Sequence, residues 1–276
     1  SHFLPADEIE PFVERLMAGC PVVGPVATKT KFAYQRLRRA SELRLDHDVT
    51  ILPPKKVFFP QEQALVSFGP DGMKSSIAPQ RQILLGVHPY DLRAIDMLDK
   101  LFFEGHEDRN YLANREAVTV IGANVQTVSP RAFFGSIHGP PPTGHDGFLT
   151  QVEGGYLFQV LTPRGEELLS AGAFVAASKA QTAEAAQANE RARDDCKEVV
   201  HHSAAEVARR LRRHFSTEKL WAELSEACFS CGSCNMVCPT CYCFDVQDTW
   251  NLDQKSGVRS RTWDGCQLED FAKVSL

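Results

Sequence analysis

The chain has 276 residues, 43% of them hydrophobic, and a formal net charge of −5 at pH 7. That length supports one good core plus a smaller module, and the acidic balance gives no reason to expect nucleic acid as a partner. No stretch approaches the ~18 consecutive apolar residues of a membrane span, so no membrane span is expected and the composition fits a cytoplasmic protein.

Apolar residues Ile9, Phe12, Val13, Leu16 and Met17 recur at helical spacing across Glu8 to Ala18, and Cys20-Pro21 ends that helix. Cys20, standing alone, reads as a small buried hydrophobe. Strands are expected at Val22 to Ala27 and Phe32 to Tyr34. The run from Ile51 to Pro60 sets prolines around Lys55-Lys56 and Phe58-Phe59. It reads as an extended segment crossing the core with a solvated lysine pair; the alternative is a docking surface for a partner protein. A strand from Ala64 to Phe68 meets the turn signal Gly69-Pro70-Asp71-Gly72.

Gln82 to Val87 has the composition of a buried strand. Pro89 to Leu101 follows with helical periodicity and Pro near its first position, and Ala117 to Ala123 is again an apolar strand. Strand, helix and strand predict a βαβ unit, but no GxGxxG marks a dinucleotide site. His145-Asp146, in a loop rich in Gly and Pro, reads as a solvated turn rather than a catalytic pair. Phe148 to Val152 and Tyr156 to Leu161 form a hairpin around Gly154-Gly155. From Thr162 to Phe215 alanine and charge come in helical blocks, predicting two or three helices. The last ends in the basic run Arg209 to His214, a solvated C-terminal turn or a surface for an acidic partner. His201, His202 and Cys196 carry no ligand pattern. Ser216 or Thr217 then caps a helix that leads to Cys228.

Nine cysteines occur, and seven of them lie between Cys228 and Cys266. Cys228, Cys231, Cys234 and Cys238-Pro239 form the bacterial ferredoxin run C-x2-C-x2-C-x3-C-P. A cubane presents separated iron corners, which a short coiled loop can reach with successive thiolates. Gly232 relieves crowding where backbone meets sulfide, and Pro239 turns the fourth thiolate in a new direction. One zinc ion favours two distant pairs of ligands, and nothing resembling a secretory signal supports disulfides. Cys241, Cys243 and Cys266 are further candidate ligands, with Tyr242 and Phe244 as shields from water.

These residues also carry a resemblance. Asp245 to Asp248 and Arg261-Thr262-Trp263-Asp264-Gly265-Cys266-Gln267, with Pro53 to Lys56, Phe58 to Gln61, Val87-His88 and Asp96 to Phe103, resemble the iron–sulfur beta subunit of cytosolic NAD(P)-linked nickel–iron hydrogenases (sulfhydrogenases). An iron–sulfur component of anaerobic sulfite reductase is of the same type. The likeness spans essentially the whole chain. It implies an α/β scaffold and docking domain over 1–162, a helical connector over 163–216 and a ferredoxin-like 4Fe-4S module over 217–276. It further implies relay of single electrons through one or two 4Fe-4S clusters, between a subunit reactive with flavin and NAD(P)H and a nickel–iron hydrogenase. A relay for a sulfite or sulfur reductase is the alternative; a structural metal-binding assembly protein is the second. No catalytic residue is expected, since no nucleophile–base pair stands out.

Two departures from the family pattern matter. The family carries a second CxxCxxCxxxCP run further on, and this sequence ends before it. Because the fourth cysteine of such a run serves the other cluster, Cys228, Cys231 and Cys234 need a fourth thiolate. Continuation beyond Leu276 is the preferred source, with Cys238, Cys241, Cys243 or Cys266 as the other. The family's extra N-terminal cysteines fall at Tyr90, Val125, Ala132 and Phe134, none of which is cysteine. The N-terminal domain is therefore expected to carry no cluster.

Overall fold

The computed structural model describes residues 1–137, 139–268 and 271. It opens with strand β1 (His2–Pro5) and helix α1 (Ile9–Gly19), whose helical spacing delivers Phe12, Val13 and Leu16 to the core. Strands β2 (Val22–Ala27) and β3 (Phe32–Arg36) pair antiparallel. A second hairpin, β4 (Glu62–Gly69) and β5 (Gly72–Ser75), turns with Gly72 at φ +100°, a region glycine enters without steric cost. Next come β6 (Gln82–Val87), α2 (Pro89–Phe103), α3 (Arg109–Glu116) and β7 (Val118–Ala123). β6 and β7 lie parallel as neighbours, the expected crossover unit. In α2 the buried stripe runs through Leu92, Ile95 and Leu98 to Phe102, leaving Leu101 partly exposed.

Strands β8 (Gly147–Val152) and β9 (Gly155–Val160) form the predicted hairpin. Helix α4 (Pro163–Glu167), strand β10 (Val175–Ala176) and helices α5 (Lys179–Asp194), α6 (Ala204–His214) and α7 (Glu218–Ser225) follow. The Arg209 to His214 run is exposed, as expected. Thr217 is the N-cap residue of α7, although its side chain makes no capping bond. Helix α8 (Ser233–Val237) and strands β11 (Phe244–Trp250) and β12 (Gly257–Trp263) come after them.

Two sheets organise these elements, one of eight strands in the order β10-β1-β9-β8-β7-β6-β2-β3 and one of four in the order β11-β12-β4-β5. The large sheet has a parallel centre, β2-β6-β7-β8, covered on both faces. Successive strand residues point to opposite faces. Leu85 and Ile121 therefore join the core under α1, whereas Leu84 and Val120 join the core under α2 and α3. The second core also takes in Phe58 and Phe59, with Phe244 and Trp263 packed against it.

The boundaries expected at 162/163 and 216/217 do not coincide with the sheets. β12 pairs antiparallel with β4, matching Thr262 to Glu62 and Gly257 to Phe68, with a bulge between Arg259 and Ser260. The last described hairpin thus joins a sheet begun in the first quarter of the chain.

Two expectations are corrected. Lys55 and Lys56 do not form a solvated pair on an extended segment. Pro54–Val57 is a 3-10 turn, and Lys55 is 2% exposed. His145-Asp146 is not a solvated turn either; both are buried. The Asp146 carboxylate accepts from the Val120 N–H at 2.8 Å and from the Thr162 hydroxyl at 2.6 Å. It stitches β7 to the start of α4, while the His145 ring meets Thr143 O at 3.3 Å.

A buried pair of histidines has no signature in the sequence. The His47 and His88 rings stack 3.9 Å apart at an interplanar angle of 2°. Burial pulls the His47 imidazole down to about 4, despite Asp46 and Asp48 nearby, and pulls His88 well below its ordinary range. Burial also lifts the Asp91 carboxyl to about 7. Below pH ~6.5 the unfolded chain binds protons at both histidines that the native state refuses, so stability falls with acidification. Asp91 acts in the opposite sense between pH ~4 and ~7, where the native state holds a proton the unfolded chain releases. Two histidines outweigh one aspartate. Urea denaturation should show stability falling as the pH drops below about 6.5; a flat profile would mean that the pair is hydrated.

Candidate metal centre

Helix α7 brings the chain to Cys228, and the loop beyond it coils tightly. Ser230 at φ +54° and Gly232 at φ +68° both adopt left-handed backbone, and Gly232 O accepts from Asn235 N to start α8. Cys228, Cys231 and Cys234 are exposed on this loop. Ser230 N donates to Cys228 Sγ at 3.4 Å. Hydrogen bonds from the Ser233 side chain and backbone hold the Cys231 thiol below its ordinary range, which favours the thiolate a metal needs. Cys238 follows at the end of α8 in extended backbone, the redirection expected before proline.

The segment after β12 closes over this loop. Asn235, buried within α8, donates to Cys266 Sγ at 3.9 Å, and Gln267 lies 3.4 Å from Cys234 Sγ. A Cβ on Gly265 would come within 2.3 Å of Asn235 Nδ2, so this approach requires glycine.

A second thiol group lies deeper. Cys238, Cys241 and Cys243 are half-buried. Burial first, then the neighbouring Cys241 thiol, pushes the Cys243 thiol up, against a backbone hydrogen bond from Cys266 that pulls it down. Asp264 N donates to Cys243 O at 3.1 Å, tying the two segments together. Lys55 reaches this group from the N-terminal half. Its ammonium donates to Cys241 O at 2.5 Å and lies 4.4 Å from the centre of the Trp263 ring. Trp263 in turn stacks on Phe59 and donates from Nε1 to Phe59 O at 3.1 Å. Two of the stretches that carried the resemblance, Pro53 to Gln61 and Arg261 to Gln267, therefore meet beside the cysteines. Phe244 packs on Phe59 at 6.0 Å, whereas Tyr242 remains half exposed and covers less than expected.

The donor set suits a cluster. All nine cysteines are free of disulfides, and left-handed Ser230 and Gly232 flank Cys231 in the loop that leads to Cys234 in α8. Among the described residues no three Cys, His, Asp or Glu side chains converge to hold a single ion. A cubane asks for something else, thiolates directed at separate corners. At the positions where the family pattern has cysteines in the N-terminal half, the Tyr90 and Phe134 rings pack 5.6 Å apart and Val125 is buried. Cys20 packs against the core under α1, and Cys196 Sγ donates to Ala192 O at 3.7 Å.

Residues 227–276 match the 4Fe-4S dicluster domain family. Together with the thiol arrangement, this makes the chain an iron–sulfur protein with 4Fe-4S chemistry. Over 269 residues it is 28% identical to the sulfhydrogenase 2 subunit beta of Pyrococcus furiosus, a match that covers 96% of this chain and 78% of that one. The likeness agrees with the resemblance read from the sequence. No solved structure matches the chain. Among the described residues no helix is long and apolar enough to cross a membrane.

Proposed function

We propose that this chain is an electron-transfer subunit that relays single electrons between a flavin- and NAD(P)H-reactive partner and a catalytic subunit of the nickel–iron hydrogenase type. The observation that carries this reading is the tight thiol loop from Cys228 to Cys238 inside a dicluster domain. When bound, a 4Fe-4S cluster supplies one-electron chemistry at a potential set by its surroundings. Cys228, Cys231 and Cys234 hold three corners of one cluster. Cys238 belongs to a second centre, with Cys241, Cys243 and Cys266 as local candidates for its remaining ligands. The segment 217–276 carries a ferredoxin-like module whose last described hairpin joins a sheet of the 1–162 scaffold and docking domain, with 163–216 as the connector. Packing of Tyr90 on Phe134 supports a scaffold without a cluster of its own.

Anaerobic purification of the full-length protein with its natural partners tests this reading. Iron, acid-labile sulfide, nickel and the EPR spectrum of the reduced state are the readouts. About eight irons in this subunit mean two cubanes and about four mean one. Nickel in the complex supports the hydrogenase partner. Its absence moves the assignment to a sulfite or sulfur reductase relay, and zinc without sulfide overturns the relay altogether.

A further inference from the structure

A lysine ammonium removed from water needs a counter-charge or good hydrogen bonds. Lys55 is among the largest fully buried side chains, at 2% exposed. Among the described residues no carboxylate pairs with it; its partners are the Cys241 carbonyl and the Trp263 ring face. Both are attractive to a cation, and neither carries a charge. Burial pulls the Lys55 ammonium below its ordinary range, and the groups whose ionisation would draw it back up are the thiols of Cys241, Cys238 and Cys243. These are neutral as free thiols and anionic as metal ligands. The next residue behaves differently. Lys56 donates to Tyr34 O at 2.7 Å, and burial alone pulls its ammonium down.

The backbone holds Lys55 firmly. Phe58 N and Phe59 N both donate to Lys55 O, at 3.0 and 2.8 Å, and the phenyl rings of these residues are buried in the core. A charge on a flexible surface arm would be screened by water. This one is fixed, dry and aimed at the loop from Cys238 to Cys243.

We propose that Lys55 is the built-in counter-charge of a cluster held by the Cys238, Cys241 and Cys243 group, and that it raises the reduction potential of that cluster. The inference rests on the 4Fe-4S reading above and deepens it, because it singles out which thiols surround the second centre. Reduction adds one electron, supplied by the donor subunit, and breaks no bond at Lys55. The added negative charge is stabilised by a fixed cation more than the oxidised state is, and net charge is one of the levers on such potentials. Lys55 is thus a positioning and tuning residue, not a catalytic one.

Redox titration of the full-length protein in its complex, followed by EPR, tests the assignment with Lys55→Met, Lys55→Arg and Lys56→Met. With iron and sulfide at wild-type content, Lys55→Met should lower the midpoint of one centre. The expected shift is at least about tenfold in the one-electron equilibrium, or about 59 mV. Lys55→Arg should shift it less than about twofold, and Lys56→Met should leave it in place. Loss of iron in Lys55→Met but not in Lys55→Arg also supports a charge requirement. An unchanged midpoint in Lys55→Met overturns the proposal. So do equal shifts in Lys55→Met and Lys55→Arg, or equal iron loss in both, since shape rather than charge would then explain the fit. Wild-type protein without an EPR-active reduced centre is a separate failure, of the relay reading itself.

Discussion

Cys231→Ala is expected to purify with about four fewer iron atoms than the wild type and to lose the EPR signal of the corresponding centre, whereas Cys20→Ala keeps both. The two cysteines differ in every physical respect that matters. Cys231 is exposed on a coiled loop between two left-handed residues, and its thiol is drawn down by Ser233. Cys20 follows α1, packs against the core and has its thiol pushed up by burial. Replacing it removes one sulfur from a half-buried site, at a cost of about 1 kcal/mol. Iron content, labile sulfide and a denaturation curve on both variants separate the roles. Equal iron loss from the two would mean that the division between ligand and core cysteine is wrong.

The contrast in setting between Cys231 and Cys20 was legible because both signals are local. The spacing from Cys228 to Cys238 reflects the loop's own coil, and the isolation of Cys20 reflects a helix end. Helix α1, strands β2, β6 and β7 and the β8–β9 hairpin were readable for the same reason: periodicity and turn residues act over a few positions. The join between β12 and β4 was not readable. It pairs residues almost 200 positions apart, and nothing in either strand's pattern names its partner. The burial of Lys55 was hidden likewise. A Lys-Lys pair between prolines looks solvated until Trp263 and the Cys241 carbonyl arrive from the far end of the chain. Asp146 misled in the other direction. A Gly- and Pro-rich loop suggested water, yet the carboxylate satisfies a strand N–H and a helix-capping hydroxyl. The resemblance did contain a hint of the site, since its two richest stretches, Pro53 to Gln61 and Arg261 to Gln267, turned out to touch.

Asp108→Ala should destabilise the protein by about 3–5 kcal/mol, the range for leaving one partner of a buried ion pair alone. Arg261, in β12, is 2% exposed and pairs with the Asp108 carboxylate. Its Nε and Nη2 donate to Gln63 Oε1 of β4 at 3.1 and 2.7 Å, and its guanidinium lies over the Phe59 and Phe244 rings. Asp108 also caps α3 by accepting from Tyr111 N at 2.8 Å, a bond whose loss costs about 1 kcal/mol by itself. Removing the carboxylate therefore strands a guanidinium among aromatic rings and frays a helix. Removing both charges is milder, because buried pairs recover little more than their desolvation cost. Asp108→Ala combined with Arg261→Met should accordingly regain a substantial part of the loss in a double-mutant cycle. The consequence reaches the cluster. Arg261 fixes β12, β12 ends at Trp263, and Trp263 leads through Gly265 to Cys266 and Gln267 against the motif loop. Asp108→Ala should thus release iron to a chelator faster than the wild type, although it touches no cysteine. Denaturant titration alongside chelator kinetics checks both effects. A loss below about 1 kcal/mol, within the range of an exposed pair, would mean that water reaches Arg261 and that the two sheets are held together by apolar packing alone.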